Sequence, residues 1–306
     1  MSAGLRIWHA GALGLCRRQA DTLIRLRTLL AAALGAAALA GPSQGSEPAR
    51  PRVVSLDYCA DQYVLALADD DQILGISTGP DDAYSAMRSH AAGKPRIREA
   101  AEDVIALEPD LVVRSFGGGT RARTFYERLG IPVHDLGFAQ SFDDIRQTVT
   151  ATAQALGQPE RGAALIAQMD AALLAAGEQT TEDRPAVLYV TPGGVTSGAG
   201  TLVHEILVAA GFENVAARGG ASGWRDLPLE RLVLAPPELI VTGFFDMPMN
   251  RVDHWSPTNH PALREQLAET PTIHLDGAFL SCGAWFMADV ALQARRRADR
   301  VLEERP

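Results

Sequence analysis

From residue 52 onward the chain alternates between two rhythms of apolar positions. Short β-branched runs, RVVSL (52–56), QILGIS (72–77), DLVVRS (110–115) and IPVHDLG (131–137), predict strands. Between them, CADQYVLALAD, AAEDVIAL, TRARTFYERLG and SFDDIRQTVTATAQALG carry apolar residues at helical spacing. The same style returns after residue 185. AVLYVTPGG (186–194), ELIVTG (238–243) and PTIHLDG (271–277) predict strands, and TLVHEILVAAG, LERLVLA and WFMADVALQARRRADRVLEE predict helices. Strands alternating with helices predict parallel α/β units, here in two sets.

The segment between the sets is itself helical. PERGAALIAQMDAALLAAG runs from Pro159 to Gly177, with Pro suited to the first turn and Gly to the position past the last. Ile166, Met169, Leu173 and Ala176 form an apolar stripe. A helix of this length spans roughly 28 Å and predicts a stiff bridge between two lobes. The alternative is a surface helix belonging to one of them. The expected boundaries are an N-terminal lobe at 51–158, a linking helix at 159–180 and a C-terminal lobe at 185–306.

One phrase occurs in both sets. EDVIALEPDLVV begins at Glu102 and ERLVLAPPELIV at Glu230, 128 residues later, aligned without a gap. Each has Pro at its eighth position, an acid at its ninth and a closing apolar run.

The N-terminus has a different character. Arg25 and Arg27 precede TLLAAALGAAALAG, an apolar run ending in Ala38-Leu39-Ala40. A basic flank, a short apolar core and an A-x-A site predict an export signal at 1–40, cleaved near Ala40. Residues 41–50, GPSQGSEPAR, read as a linker. Without residues 1–40 the chain has 23 basic and 36 acidic residues, a net charge of −13, which repels nucleic acid and anionic lipid.

Chemistry is expected in the loops after the strands, because ligands of open α/β sheets gather at the strands' carboxyl ends. Those loops hold Tyr58, Tyr84, Phe116, Phe138, Trp224, Phe244, Phe245, Phe279 and Trp285, half of the chain's 18 aromatics. An aromatic-lined cleft suits a flat or greasy small molecule, and Arg96, Arg114 and Arg225 add possible anion contacts. Cys59 and Cys282 also fall in these loops. They are open to three readings: inert buried thiols, a disulfide within or between lobes, or contact with a ligand or metal. The sequence contains no P-loop spacing, no G-x-S-x-G and no H-E-x-x-H. His90, His134, His204, His254, His260 and His274 are scattered, so neither a metal site nor a cofactor is expected.

Several ordered motifs together resemble the substrate-binding proteins of cobalamin and ferric-siderophore ABC importers. PRVVSLDYCADQYVLALA is similar to that family's opening strand and helix. AAEDVIALEPDLVV is similar to its N-lobe signature, TSGAGTLVHEILVAAGFENVA to a C-lobe segment, and GWRDLPLERLVLAPPELIV to the C-lobe counterpart of the signature. The resemblance covers nearly all of 51–306. It implies the class III periplasmic binding protein fold: two Rossmann-like lobes joined by a single long α-helix. It further implies a monomeric, exported, non-enzymatic carrier that delivers a metal-chelate nutrient to the transmembrane subunits of an importer.

The resemblance also assigns roles. Glu102 and Glu230 occupy the positions at which family members present one glutamate per lobe to arginines of the transporter. Both acids also suit a helix N-terminus. Trp224 matches an aromatic that packs on ligand in the cobalamin binder. Arg96 and Ser115, with Phe116 beside it, stand where that binder has tryptophans, which shifts expectation toward an anionic chelate such as a ferric siderophore. Tyr58 or Tyr84 as an axial ligand to iron would indicate haem. The expected ligand set is Tyr58, Cys59, Tyr84, Arg96, Arg114, Phe116, Trp224, Arg225, Phe245 and Trp285. The competing classes are a free-metal binder and a chelatase-like enzyme, the latter because tetrapyrrole chelatases share a two-lobed plan.

Overall fold

The computed structural model describes residues 50–79, 83–178, 184–227, 230, 234–246 and 259–304. The expected signal segment (1–40), the last two residues of the expected bridge (179–180) and most of the LERLVLA helix lie outside the described residues. Arg50–Pro306 forms one compact unit.

The first sheet contains β1 (Val53–Ser55), β2 (Ile73–Gly75), β3 (Leu111–Arg114) and β4 (Val133–Asp135). All pairs are parallel, in the order β2-β1-β3-β4. Side chains alternate across the sheet, and both faces are buried, as a parallel sheet requires. Val54 and Val112 pack under α2 (Ala101–Ile105) and α3 (Ala122–Arg128) with Val104 and Tyr126. Val53 and Val113 face α1 (Tyr58–Leu67) and α4 (Phe142–Ala155) with Val64, Ile145 and Val149.

The expected bridge is α5 (Pro159–Glu178), 20 residues or about 30 Å long. It ends one residue beyond Gly177, so that glycine lies within the last turn and does not cap it. Gly162 is required by packing. A Cβ there would lie 2.4 Å from the Ala153 Cβ, so α4 and α5 approach as closely as they do only because that atom is missing. At its start α5 is tied to the end of α1: the Arg161 guanidinium donates to the Leu67 and Ala68 carbonyls, 2.8 Å each, where helix carbonyls lack partners.

After α5 come a two-stranded sheet of β6 (Val195–Ser197) and β8 (Trp224–Asp226) and the second large sheet, with β5 (Ala186–Val190), β7 (Glu213–Asn214), β9 (Leu239–Gly243) and β10 (Thr272–Leu275). Its parallel order is β10-β9-β5-β7, and β6 pairs with β8 antiparallel. Among the described residues its α-helices include α6 (Leu202–Ala209), α7 (Pro261–Glu269) and α8 (Met287–Glu303). Counting only the parallel strands of each half in chain order, both sheets run 2-1-3-4. The repeated phrase therefore closes on the same strand in each half: the first copy runs into β3 and the second into β9. The motif is repeated because the sheet is.

Each lobe has a small cluster of its own, around Val54 and Val112 in the first and Leu188 and Ile240 in the second, but the main core is shared. One continuous apolar cluster takes in Val53, Tyr63 and Val149 from the first half, Met169 and Ala176 from α5, and Val187, Phe212 and Ala291 from the second. α5 packs on both α4 and α8 along this seam. Among the described residues no helix is long and apolar enough to cross a membrane.

Asp61, fully buried on α1, accepts hydrogen bonds from the Ser77 backbone N–H at 3.0 Å and hydroxyl at 2.5 Å. Burial pushes its carboxyl up to about 6, against the opposing effect of the Ser77 bonds. The folded protein therefore holds this proton more tightly than the unfolded chain. The contribution to stability is complete below pH 4 and is lost as pH rises through about 6. Asp61→Asn is expected to flatten the fall in stability between pH 4 and 6.5, a change of up to about 2–3 kcal/mol, read by urea denaturation at each pH.

Candidate functional site

The two sheets turn their carboxyl edges toward a shared cleft with a volume of about 710 Å³. Its N-lobe wall comes from the loops after β1, β3 and β4, which carry Tyr58, Phe116 and Phe138. The first two loops flank the switch point of a 2-1-3-4 sheet, where neighbouring connections leave in opposite directions and open a crevice. The C-lobe wall comes from Trp224 at the start of β8, from Thr201 and Leu202 at the start of α6, and from Leu280. Of the lining residues, Tyr63 and Met287 are among the most fully buried.

Asp57 builds the N-lobe wall. It is buried at the N-cap of α1, where its Oδ1 accepts the Ala60 N–H at 2.9 Å. Its Oδ2 accepts the backbone N–H groups of Ser115, Phe116 and Gly117 at 2.7, 3.0 and 2.8 Å. One carboxylate thus caps a helix and ties down the loop that carries Phe116. Gly117 lies so close to the β1 segment that a Cβ would fall 2.4 Å from the Leu56 carbonyl oxygen. With the loop fixed, Tyr58 sits edge-on to Tyr84 at 4.4 Å between ring centroids and to Phe116 at 5.4 Å. Burial, and secondly the Asp57 charge, push the Tyr58 phenol above its usual range.

On the other wall Trp224 meets Tyr189 edge-on at 6.1 Å. Thr201 caps α6 by accepting the His204 N–H at 3.2 Å. Phe244, just past β9, has φ +65°, a left-handed backbone uncommon outside glycine. The rings nearest the mouth remain largely uncovered: Phe138 is 83 % exposed and Phe116 and Trp224 each 50 %. Large aromatic faces left in water at one location mark a binding surface.

Cys59 and Cys282 form a disulfide with their Cα atoms 5.5 Å apart. Of the three readings, the bond between lobes is the one found. Cys59 therefore lines the cleft as half of a bridge and has no thiolate to offer a metal. The bond closes a loop 223 residues long in sequence, a restriction of the unfolded chain worth about 2–5 kcal/mol. Beside it the Tyr63 hydroxyl donates to the Gly283 carbonyl at 2.6 Å.

Tyr58, Cys59, Phe116 and Trp224 of the expected ligand set line the cleft, and Tyr84 supports Tyr58 from behind. The others lie elsewhere. Trp285 is buried in the seam, edge-on to Tyr63 and Phe286. Arg114 is buried and paired with Asp135 at 3.3 Å. Arg96 donates to the Ala91 carbonyl at 3.0 Å, beside its bridge to Ile76. Arg225 faces a separate cavity of about 360 Å³ inside the C-lobe, with Leu188, Thr196 and Leu227. Phe245 is partly exposed past β9 and lines neither cavity. The arginines that suggested an anionic ligand are thus not on the wall. Among the described residues, no charged side chain lines the cleft.

Phe138 completes the set. Its loop is marked as a strand end, but it carries no motif to separate it from ordinary surface aromatics. Leu202, Gly283 and Met287 have no local signal at all, because only the closing of the two halves brings them together. Among the described residues no group of three or more His, Cys, Asp or Glu is placed to hold a metal ion. Glu102, in the first turn of α2, and Glu230 are both exposed.

The model of the periplasmic binding protein family matches residues 53–253, and the chain belongs to that family. A cobalamin-binding protein of Halobacterium salinarum is 30 % identical over 203 residues, 65 % of this chain and 54 % of the relative. The match thus spans about half the length of that curated relative. Among solved structures, a periplasmic heme-binding protein from Roseiflexus sp. RS-1 matches 83 % of this chain and 99 % of its own with TM-score 0.64 and 22 % identity. The periplasmic vitamin B12 binding protein of Vibrio cholerae matches 84 % and 99 % with TM-score 0.59 and 17 % identity. At these identities the solved structures speak for the fold: two α/β lobes of the class III periplasmic binding protein type.

Removing the Asp57 carboxylate strands four N–H groups, two of them, on Ser115 and Phe116, in residues that line the cleft. Asp57→Ala is expected to lower stability by about 2–4 kcal/mol and to speed amide exchange at 115–117. Unchanged exchange there would show that the loop holds itself.

Proposed function

We propose that this chain is the periplasmic capture component of an ABC importer and that its cargo is a flat metal chelate with an uncharged rim, of the corrinoid class. The observation that carries the reading is the cleft: aromatic on both walls and without a charged side chain among the described residues. A chelate bearing several carboxylates would have to shed its hydration against such a wall with no cation to replace it, at a cost of some kilocalories per charge. A macrocycle whose rim carries amides loses far less and can stack on Trp224, Phe116 and Phe138. The cobalamin-binding relative supports the same class. This departs from the siderophore expectation, which rested on Arg96 and Ser115 standing in place of tryptophans, with Arg114 and Arg225 as further possible anion contacts.

Haem is the second reading. Tyr58 favours it, since its half-buried phenol in the cleft could meet iron as an axial ligand. The chain's role is to hold the cargo and leave its bonds unchanged, so no catalytic residue is assigned. Export through a signal at 1–40, cleavage near Ala40 and action as a monomer belong to the same proposal. The two lobes, 51–158 and 185–306, meet the cargo from opposite sides while the helix from 159 limits their opening. Delivery uses Glu102 and Glu230, one exposed acid per half at matching positions of a repeated phrase, as a two-fold permease would need. Exposed ion pairs of this kind steer and register a partner more than they tighten it.

Two measurements test the proposal. Calorimetry with cyanocobalamin should give binding that Trp224→Ala weakens by roughly 5–150-fold, or about 1–3 kcal/mol. Binding of hemin but not of cyanocobalamin, lost in Tyr58→Phe, would select the second reading. Reversing charge at both Glu102 and Glu230 should leave affinity within about twofold and reduce transporter-dependent uptake by about tenfold or more. Undiminished uptake would remove the docking role.

A further inference from the structure

We propose that the Cys59–Cys282 disulfide is a strap that sets the spacing of the two lobes at the base of the cleft, so that they can part only at the mouth. Cys59 stands in the first turn of α1 in the N-lobe, and Cys282 in the loop before α8 in the C-lobe. Cys59 and Tyr63, one helical turn apart, share a face of α1. Tyr63 donates to Gly283 at 2.6 Å and packs edge-on to Trp285 at 5.4 Å. The covalent bond and these contacts form one line of stitches between lobes.

The approach along that line is close. A Cβ on Gly283 would lie 3.1 Å from the Ala139 Cβ of the opposite lobe and 3.0 Å from Leu202. Separation at this point would have to break the Tyr63 bond and stretch the disulfide. At the mouth, Phe138 and Trp224 are largely exposed, and nothing covalent joins their loops. The disulfide faces the cavity, so a small dithiol entering the cleft can reach it. In that exchange the Cys59–Cys282 bond breaks, the dithiol forms its own cyclic disulfide, and its two protons and two electrons pass to the cysteine sulfurs.

The inference does not depend on which cargo is bound, and its test is made on the full, ligand-free chain. Hydrogen exchange and small-angle scattering are compared for the oxidised protein, for protein treated with dithiothreitol until the thiol count rises by two, and for Cys59→Ser/Cys282→Ser. Should the double variant not fold, the reduced wild-type protein gives the same comparison. Cutting the strap is expected to speed exchange at 57–63 and 280–286 by about tenfold or more beyond the rise shared by β1, β3, β5 and β9, which follows from the lost restriction of the unfolded chain, and to raise the radius of gyration. Equal exchange and equal size in all forms would overturn the proposal. A rise at 57–63 and 280–286 no larger than the rise across the sheets would also overturn it, because the bond would then stabilise the fold as a whole without gauging the cleft.

Discussion

The cleft exists because two sheets are held edge to edge by one seam, where α1, α5 and α8 share a continuous apolar core. Each half has the same 2-1-3-4 sheet, and each sheet has a crevice at its carboxyl edge. A crevice on one sheet is shallow. Two facing crevices at fixed spacing enclose a cavity. The spacing is set by close contacts at the seam: Gly162 against Ala153, Arg161 on the end of α1, and Tyr63 on Gly283. Interiors packed this tightly shift between discrete arrangements and do not deform smoothly. A site built on such a base is largely formed before its ligand arrives, which lowers the ordering cost of capture.

Within that frame, charge is placed to shape the walls without lining them. Asp57 spends its carboxylate on four backbone N–H groups. Arg114 is matched to Asp135, and Arg161 to helix carbonyls. The surface left for the ligand is aromatic, with the few polar contacts that orient a guest coming from groups such as Gln140, Thr201 and Ser281. Such a wall favours a broad, flat molecule whose own periphery is satisfied by hydrogen bonds to water at the mouth.

Much of this was legible in the chain. Val, Ile and Leu runs gave seven of the parallel strands, because buried strands must be apolar on both faces. The repeat beginning at Glu102 and Glu230 pointed to two equivalent halves, and the strand order bears this out. Local reasoning failed where structure is made by distant partners. β7 has two residues, Glu213 and Asn214, too few for a period to register. β8, Trp224–Asp226, is exposed throughout and exists by pairing with β6, so WRD read as a loop. The same blindness affected the site. Tyr58, Phe116 and Trp224 were identifiable as strand-end aromatics. Arg114 and Trp285 looked the same in sequence but turn to the ion pair and the seam. Cys59 could not name Cys282 across 223 residues until the lobes were in place.

The central claim is that the space between the lobes carries an intact, flat metal chelate. Native mass spectrometry of the protein purified from its own periplasm tests this most directly. The account predicts a mass increase matching one corrinoid-class chelate, released unchanged on denaturation. A bare metal ion in its place, or a bound molecule that the protein converts on standing, would contradict it.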